Sequence, residues 1–161
     1  MDIEKMPRMK KAEYDEIING QYICRIAFKG EQHPYIVPFL YVFDGKYMYF
    51  LSTKYGKKVE YFHQNPYVSV EVESYSSDLS NFSFVSLFGR LMAVVDAEVK
   101  QSVREMFLQL IKAKQLSANV LSALGHSPKD PFESILNEGK NSVWKLTGVK
   151  EILGLKNSGE K

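Results

Sequence analysis

Asp44-Gly45 is the most constraining pair in the chain. It separates the apolar run Tyr35–Phe43 from a returning strand, Lys46–Leu51. Asp-Gly between two such runs marks a tight hairpin, because glycine accepts the positive φ the turn demands. The hairpin leads into a polar, basic junction, Ser52-Thr53-Lys54-Tyr55-Gly56-Lys57-Lys58. A helix from about Gly56 to His63 follows, with Val59 and Phe62 inward. Asn65-Pro66 ends it, since a residue before proline is pushed out of helical geometry. Tyr67–Glu73 then alternates, with Val68, Val70 and Val72 on one face. The order over residues 34–73 is therefore strand, turn, strand, short helix, strand.

Upstream, residues 10–18 read as a helix. Tyr14, Ile17 and Ile18 fall at helical spacing, and Gly20 stands where a left-handed C-terminal residue belongs. Gln21–Lys29 alternates as a strand, and Lys29–Pro34 is turn-like. Tyr35–Phe43 is apolar enough to be covered on both faces. Pro38 inside it requires a sheet edge or a bulge, because proline cannot donate to a ladder.

Downstream, residues 75–81 form a polar loop. Phe82–Val95 is a long strand, with Gly89 marking a bulge or bend. Long bent strands curl a sheet into a barrel. Asp96 caps a helix to about Gln115, with Val99, Val103, Met106, Phe107, Leu110 and Ile111 as its apolar stripe. Residues 117–125 read as a further helix. Asp130-Pro131-Phe132-Glu133 starts a short one reaching Asn137. Ser142–Gly148 and Val149–Leu153 make the last strand, bent at Gly148. Residues 1–9 and 156–161 are expected to fray. The tally predicts one domain over residues 1–161. Its class is mainly β (α+β), an antiparallel barrel of six strands with helices packed outside.

Composition excludes several partners. Net charge is +2, so no global field recruits nucleic acid or membrane. Cys24 is the only cysteine and cannot form an internal disulfide. It reads as a buried, inert thiol. His33, His63 and His126 lack metal-ligand spacing, so no metal is expected. No apolar run approaches the ~20 residues of a membrane span, and the first residues do not order as a signal peptide. The expected location is cytoplasmic.

The junction carries the chemistry. A helix beginning near Gly56 presents free N–H groups and the positive end of its dipole. Lys57 and Lys58 in that first turn oppose the dipole unless an anion sits there, joined by the Ser52 and Thr53 hydroxyls. The competing reading is a solvated basic turn with Ser or Thr as a simple cap. Trp144 reads as core or interface, or as a cover for a ring-shaped ligand.

Three stretches resemble the pyridoxamine-phosphate-oxidase-like family of FMN-binding split barrels, on its nitroimidazole-resistance-like branch. The first runs from His33-Pro34 to Pro38-Phe39 and the Asp-Gly turn. The second is Tyr49-Phe50-Leu51-Ser52 through Gly56-Lys57-Lys58 to Asn65-Pro66. The third is Phe84-Val85 through Gly89-Arg90, followed by Val-Val-Asp and a helix. The ending Val143-Trp144-Lys145-Leu146, then Gly148, also fits, so the resemblance spans roughly residues 8–155.

The resemblance implies a split barrel that dimerises with FMN at the subunit interface. Lys57 and Lys58 are similar to the family's phosphate-binding pair. Ser52, beside Leu51 and Thr53, matches its strand-end hydroxyl. Val37, Pro38 and Phe39 lie where backbone atoms meet the isoalloxazine ring. Ser83 and Phe84 lie where a partner strand reaches the flavin, and Trp144 falls within the family's closing segment. Ile36 and Tyr41 replace an Arg and a Lys of the oxidase proper, and its C-terminal Arg and His have no counterpart here. The implied activity is an oxidoreductase passing hydride or electrons between a reduced nicotinamide, or another donor, and a small-molecule acceptor. The alternative is a flavin- or haem-binding module without turnover. Residues 97–138 are expected outside the barrel, shaping the pocket entrance.

Overall fold

The computed structural model, which describes residues 1–159, closes the strands into one antiparallel barrel. The strands are β1 (Ile23–Phe28), β2 (Tyr35–Phe43), β3 (Met48–Thr53), β4 (Tyr67–Tyr75), β5 (Phe82–Ala93) and β6 (Asn141–Lys156). Their order around the barrel is β1-β2-β3-β6-β5-β4, and β4 pairs back onto β1. The helices are α1 (Lys11–Gly20), α2 (Lys57–Gln64), α3 (Ala97–Ala113) and α4 (Val120–Ala123), with a 3-10 turn at Phe132–Leu136. Among the described residues, no helix is long and apolar enough to cross a membrane.

Alternation along the strands builds two cores. Cys24, Ile26 and Phe28, then Val68, Val70 and Val72, then Val85, Leu87 and Leu91 point into the barrel, where Phe39, Phe50 and Trp144 meet them. The second core lies outside. Val42, Tyr49, Leu51 and Val143 face outward and pack against Val103, Phe107 and Ile111 of α3 with Leu121, Leu124 and Ile135. β3 is therefore buried along its whole length. β2 is not. Its N-terminal half alternates with solvent, leaving Ile36 62% exposed. The apolar run alone pointed to β2 as the doubly covered strand. β3 takes that place because its outward side chains Tyr49 and Leu51 are covered by the second core, to which α3, α4 and the 3-10 turn all contribute.

Gly89 sits at a register shift between β5 and β6, as its position implied. A side chain there would meet the Thr147 carbonyl at 2.7 Å. Gly45 takes φ +96 in the hairpin, where the Asp44 carboxylate accepts from the Lys46 and Tyr47 N–H groups.

Several expectations fail locally. Gly20 is the last residue of α1, and the cap position falls on Gln21. The helix expected over 117–125 shrinks to four residues. Asp130 does not cap the following turn, whose cap position is Pro131. Its carboxylate instead accepts from the Ser127 N–H. The last strand does run through Gly148, as expected, with that residue at φ +56, but it extends to 16 residues. Neither tail is wholly loose. Met9 N–H donates to the Gly154 carbonyl, Lys156 N–H to Pro7, and Asn157 N–H to Phe82.

Candidate functional site

The barrel ladder opens in one place. β2 and β3 pair only through Tyr41–Phe43 and Met48–Phe50. Before Tyr41, β2 continues against β1 alone. After Phe50, β3 continues against β6 alone. Two strand edges thus diverge and face each other across a split.

Which backbone groups line it follows from alternation. Tyr41 N–H donates to the Tyr22 carbonyl, so odd residues of β2 turn toward β1. The even residues Ile36, Pro38 and Leu40 turn toward the split. Asp44 N–H donates to the Tyr47 carbonyl, so odd residues of β3, Leu51 and Thr53 among them, face it from the other side. Pro38 thus lies on an edge without bulging, since β1 pairs through it in register with Arg25. Its missing N–H falls on the open side and costs no ladder bond.

α2 begins at the mouth of this split. Its N-cap is Gly56 at φ 101, with no side-chain cap. The Gly56 carbonyl accepts from the Val59 and Glu60 N–H groups, each at 3.2 Å. The N–H groups of Gly56, Lys57 and Lys58 have no acceptor among the described residues. No carboxylate there pairs with Lys57 or Lys58. The Lys57 ammonium stands 6.0 Å from the ring centre of Tyr35, at the start of β2, and that of Lys58 stands 6.0 Å from the Tyr55 ring. Partial burial holds the Lys58 pKa below its ordinary value. Two cations, three free N–H groups and a helix dipole together favour an anion.

The hydroxyls are turned elsewhere. Ser52, fully buried, donates to the Thr53 carbonyl at 2.8 Å, and Thr53 to the Tyr55 carbonyl at 3.3 Å. They hold the junction's shape. Trp144 is 3% exposed, with Phe62 stacked on its ring at 4.7 Å and Phe28 and Phe39 around it. It supports the floor under α2 from the barrel interior. Cys24 is buried, and burial pushes its thiol far above the ordinary range.

Ser83 and Phe84 do not join the others within one chain. Ser83 pairs with Lys156 at the far end of β6, whereas Ser52 pairs with Ser142 at its start. Fourteen residues of strand separate those registers, roughly 45 Å of contour.

The structure adds roles that the sequence pattern did not assign. Ile36 and Leu40 offer split-facing backbone. Tyr35 meets Tyr61 edge-on at 5.8 Å and ties β2 to α2. Outside the barrel, Arg25 pairs with Glu73 and lies 3.8 Å from Glu71. Burial, then the neighbouring Glu73 charge, raises the Glu71 pKa against the pull of Arg25. Strand alternation placed Arg25 on this outer face, but its partners on β4 needed the register.

A family model described as pyridoxamine 5'-phosphate oxidase matches residues 10–133. The chain belongs to that family. An uncharacterized protein of Rhizobium meliloti is 29% identical over 70 residues, which cover 44% of this chain and 46% of that protein. The chain thus matches about half the length of that curated relative. Among solved structures, a FAD-binding protein of Mesorhizobium loti superposes with TM-score 0.70 at 18% identity, covering 95% of this chain and 99% of its own. A proposed 5-nitroimidazole antibiotic resistance protein of Bacteroides thetaiotaomicron gives 0.66 at 17%, over 95% and 89%. A haem-binding protein of Mycobacterium smegmatis gives 0.65 at 18%, over 96% and 57%. These likenesses establish the shared split-barrel fold.

Proposed function

We propose that the chain is an FMN-binding oxidoreductase, with the flavin ring in the split and its phosphate at the start of α2. The observation that carries this is the meeting of an open ladder with an uncapped, doubly basic helix N-terminus. The residues fit the group. Split-facing carbonyls and N–H groups of Ile36, Leu40, Leu51 and Thr53 match the polar edge of a flat heterocycle. The apolar side chains of Val37, Pro38, Phe39 and Leu51 belong to the same two strand ends. Gly56, Lys57 and Lys58 supply donors and charge for the phosphate. A bound flavin supplies hydride and electron transfer, and the chain supplies binding and orientation.

The working unit is a homodimer. Ser83 and Phe84 stand away from the split of their own chain, so they serve a split only across a two-fold interface. The outward face beside the split is apolar. Ile23 of β1 is 51% exposed, Ile36 of β2 more so, and exposed Pro38 of β2 stands opposite Arg25 of β1. Such a face supports a partner.

Visible spectra of freshly purified protein, before and after dithionite, test the cofactor. Flavin bands that bleach are expected. A Soret band would replace this reading with the haem binding named for the Mycobacterium smegmatis relative. FAD carries the FMN phosphate plus a second one, so affinities for the two flavins decide between them. Steady-state turnover with reduced nicotinamides and a panel of acceptors tests catalysis. Light scattering that shows a flavin-loaded monomer would refute the shared site.

A further inference from the structure

On the far side of β3 from the split lies a second cavity of ≈ 150 Å³, walled in part by Lys54, Lys100, Arg104, Glu138, Asn141 and Ser142. Three of these are cations and one is an acid. Arg104 is 1% exposed. Its Nη1 donates to the Ile135 carbonyl at 3.1 Å and to Asn141 Oδ1 at 2.5 Å, and its Nη2 to the Asn141 carbonyl at 3.1 Å. Its buried Nε has no acceptor among the described residues. All its partners are neutral, and a buried charge without a counter-charge is costly. Burial lowers the guanidinium pKa, and Glu138 is the charge that opposes this.

Glu138 shows where the field converges. Its carboxylate is ion-paired with Lys100 at 2.6 Å, yet its side chain is 61% exposed. The carboxyl is held below its ordinary value by the Lys100 hydrogen bond and charge first, then by the charges of Arg104 and Lys54. Three cations thus act on one carboxylate that is itself tethered only through an exposed side chain.

We propose that this cavity is an oxyanion site, in which Glu138 is an internal stand-in for the carboxylate or phosphate of a small molecule. The incoming anion displaces Glu138 from Lys100. It gains the Lys54 and Lys100 ammoniums, the charge and free Nε–H of Arg104, and the Ser142 hydroxyl. The volume lies below the roughly 300–1,000 Å³ that encloses a whole ligand, so the site takes an anionic head. β3 separates it from the flavin split, and it does not depend on the flavin reading.

Calorimetric titration of the full chain with inorganic phosphate and with acetate tests this. The Lys57→Met/Lys58→Met background is used, so that the junction does not compete. One anion per chain is expected, and the better of the two probes tells a phosphate ligand from a carboxylate. Adding Lys54→Met and Lys100→Met should weaken it by about tenfold or more, as loss of charge-assisted bonds implies. Glu138→Gln should tighten it several-fold, by removing the internal competitor. Arg104 is left intact, because its bonds hold α3 to β6. Anion affinity unchanged by the lysine substitutions, or no gain in Glu138→Gln, would overturn the proposal and leave Arg104 as a purely structural clamp.

Discussion

α2 and α3 begin in opposite ways. α3 starts at Asp96, whose carboxylate accepts from the Val99 N–H at 2.9 Å, and Glu98 follows in its first turn. It then buries Val103, Phe107 and Ile111. α2 starts at an uncapped glycine, puts Lys57 and Lys58 against its own dipole and buries no residue fully. The cap and first turn of α3 favour the helix, while in the first turn of α2 two cations oppose the dipole and Glu60 is the one acid. A first turn that sets two cations against its own dipole is what the proposed reception of an anion requires.

Four measurements break or sharpen this contrast. The largest effect belongs to α3. Phe107→Ala should cost about 3–5 kcal/mol in chemical denaturation, because a fully buried ring leaves a cavity between two layers. A loss under about 1 kcal/mol would mean that the outer core does not hold α3. Next comes ligand binding at α2. Lys57→Met or Lys58→Met should each weaken FMN ten- to hundredfold, the loss of one charge-assisted bond of about 1.5–3 kcal/mol. Riboflavin, lacking the phosphate, should be nearly indifferent, and equal loss for both ligands would move the contact to the ring. Third, Asp96→Ala should cost about 1 kcal/mol of stability, the usual worth of such a cap. Smallest is the ligand-free stability of the two methionine variants. Removing a cation from the α2 N-terminus should raise it by about 0.3–1 kcal/mol. A fall instead would show that the lysines serve the fold.

What the sequence made legible divides along the same line. Local chemistry was readable. Asp44-Gly45, the Asp96 cap, the bulge at Gly89 and the alternation of β1 and β4 each act within a few residues. Lys57 and Lys58 stood out as candidates because they break a local rule. Long-range coverage was not. Nothing near β3 announces that the helical segment after β5 covers its outer face, and nothing near Asp130 says that its carboxylate turns back to Ser127. The tails read as loose because pairing of Met9 with Gly154 joins segments at opposite ends of the chain. The Arg104–Asn141 contact was hidden for the same reason, since an arginine on an amphipathic helix reads as solvated until its neighbours are known. The split showed in outline only. Pro38 signalled an edge or a bulge, and the hairpin register decided which.

Pro38 also governs what cannot enter. An open strand edge is a template, and a stray strand that docks there alternates donors and acceptors with the host and can seed aggregation. The β2 edge presents its carbonyls unbroken but lacks one donor at its centre. An intruding chain would leave its own carbonyl unmet at that step, an unpaired polar group costing roughly 1–3 kcal/mol. A small ligand that asks for no donor at that one step loses nothing. One imino acid thus lets the barrel keep an unsealed seam that disfavours an added strand more than the small heterocycle proposed for it.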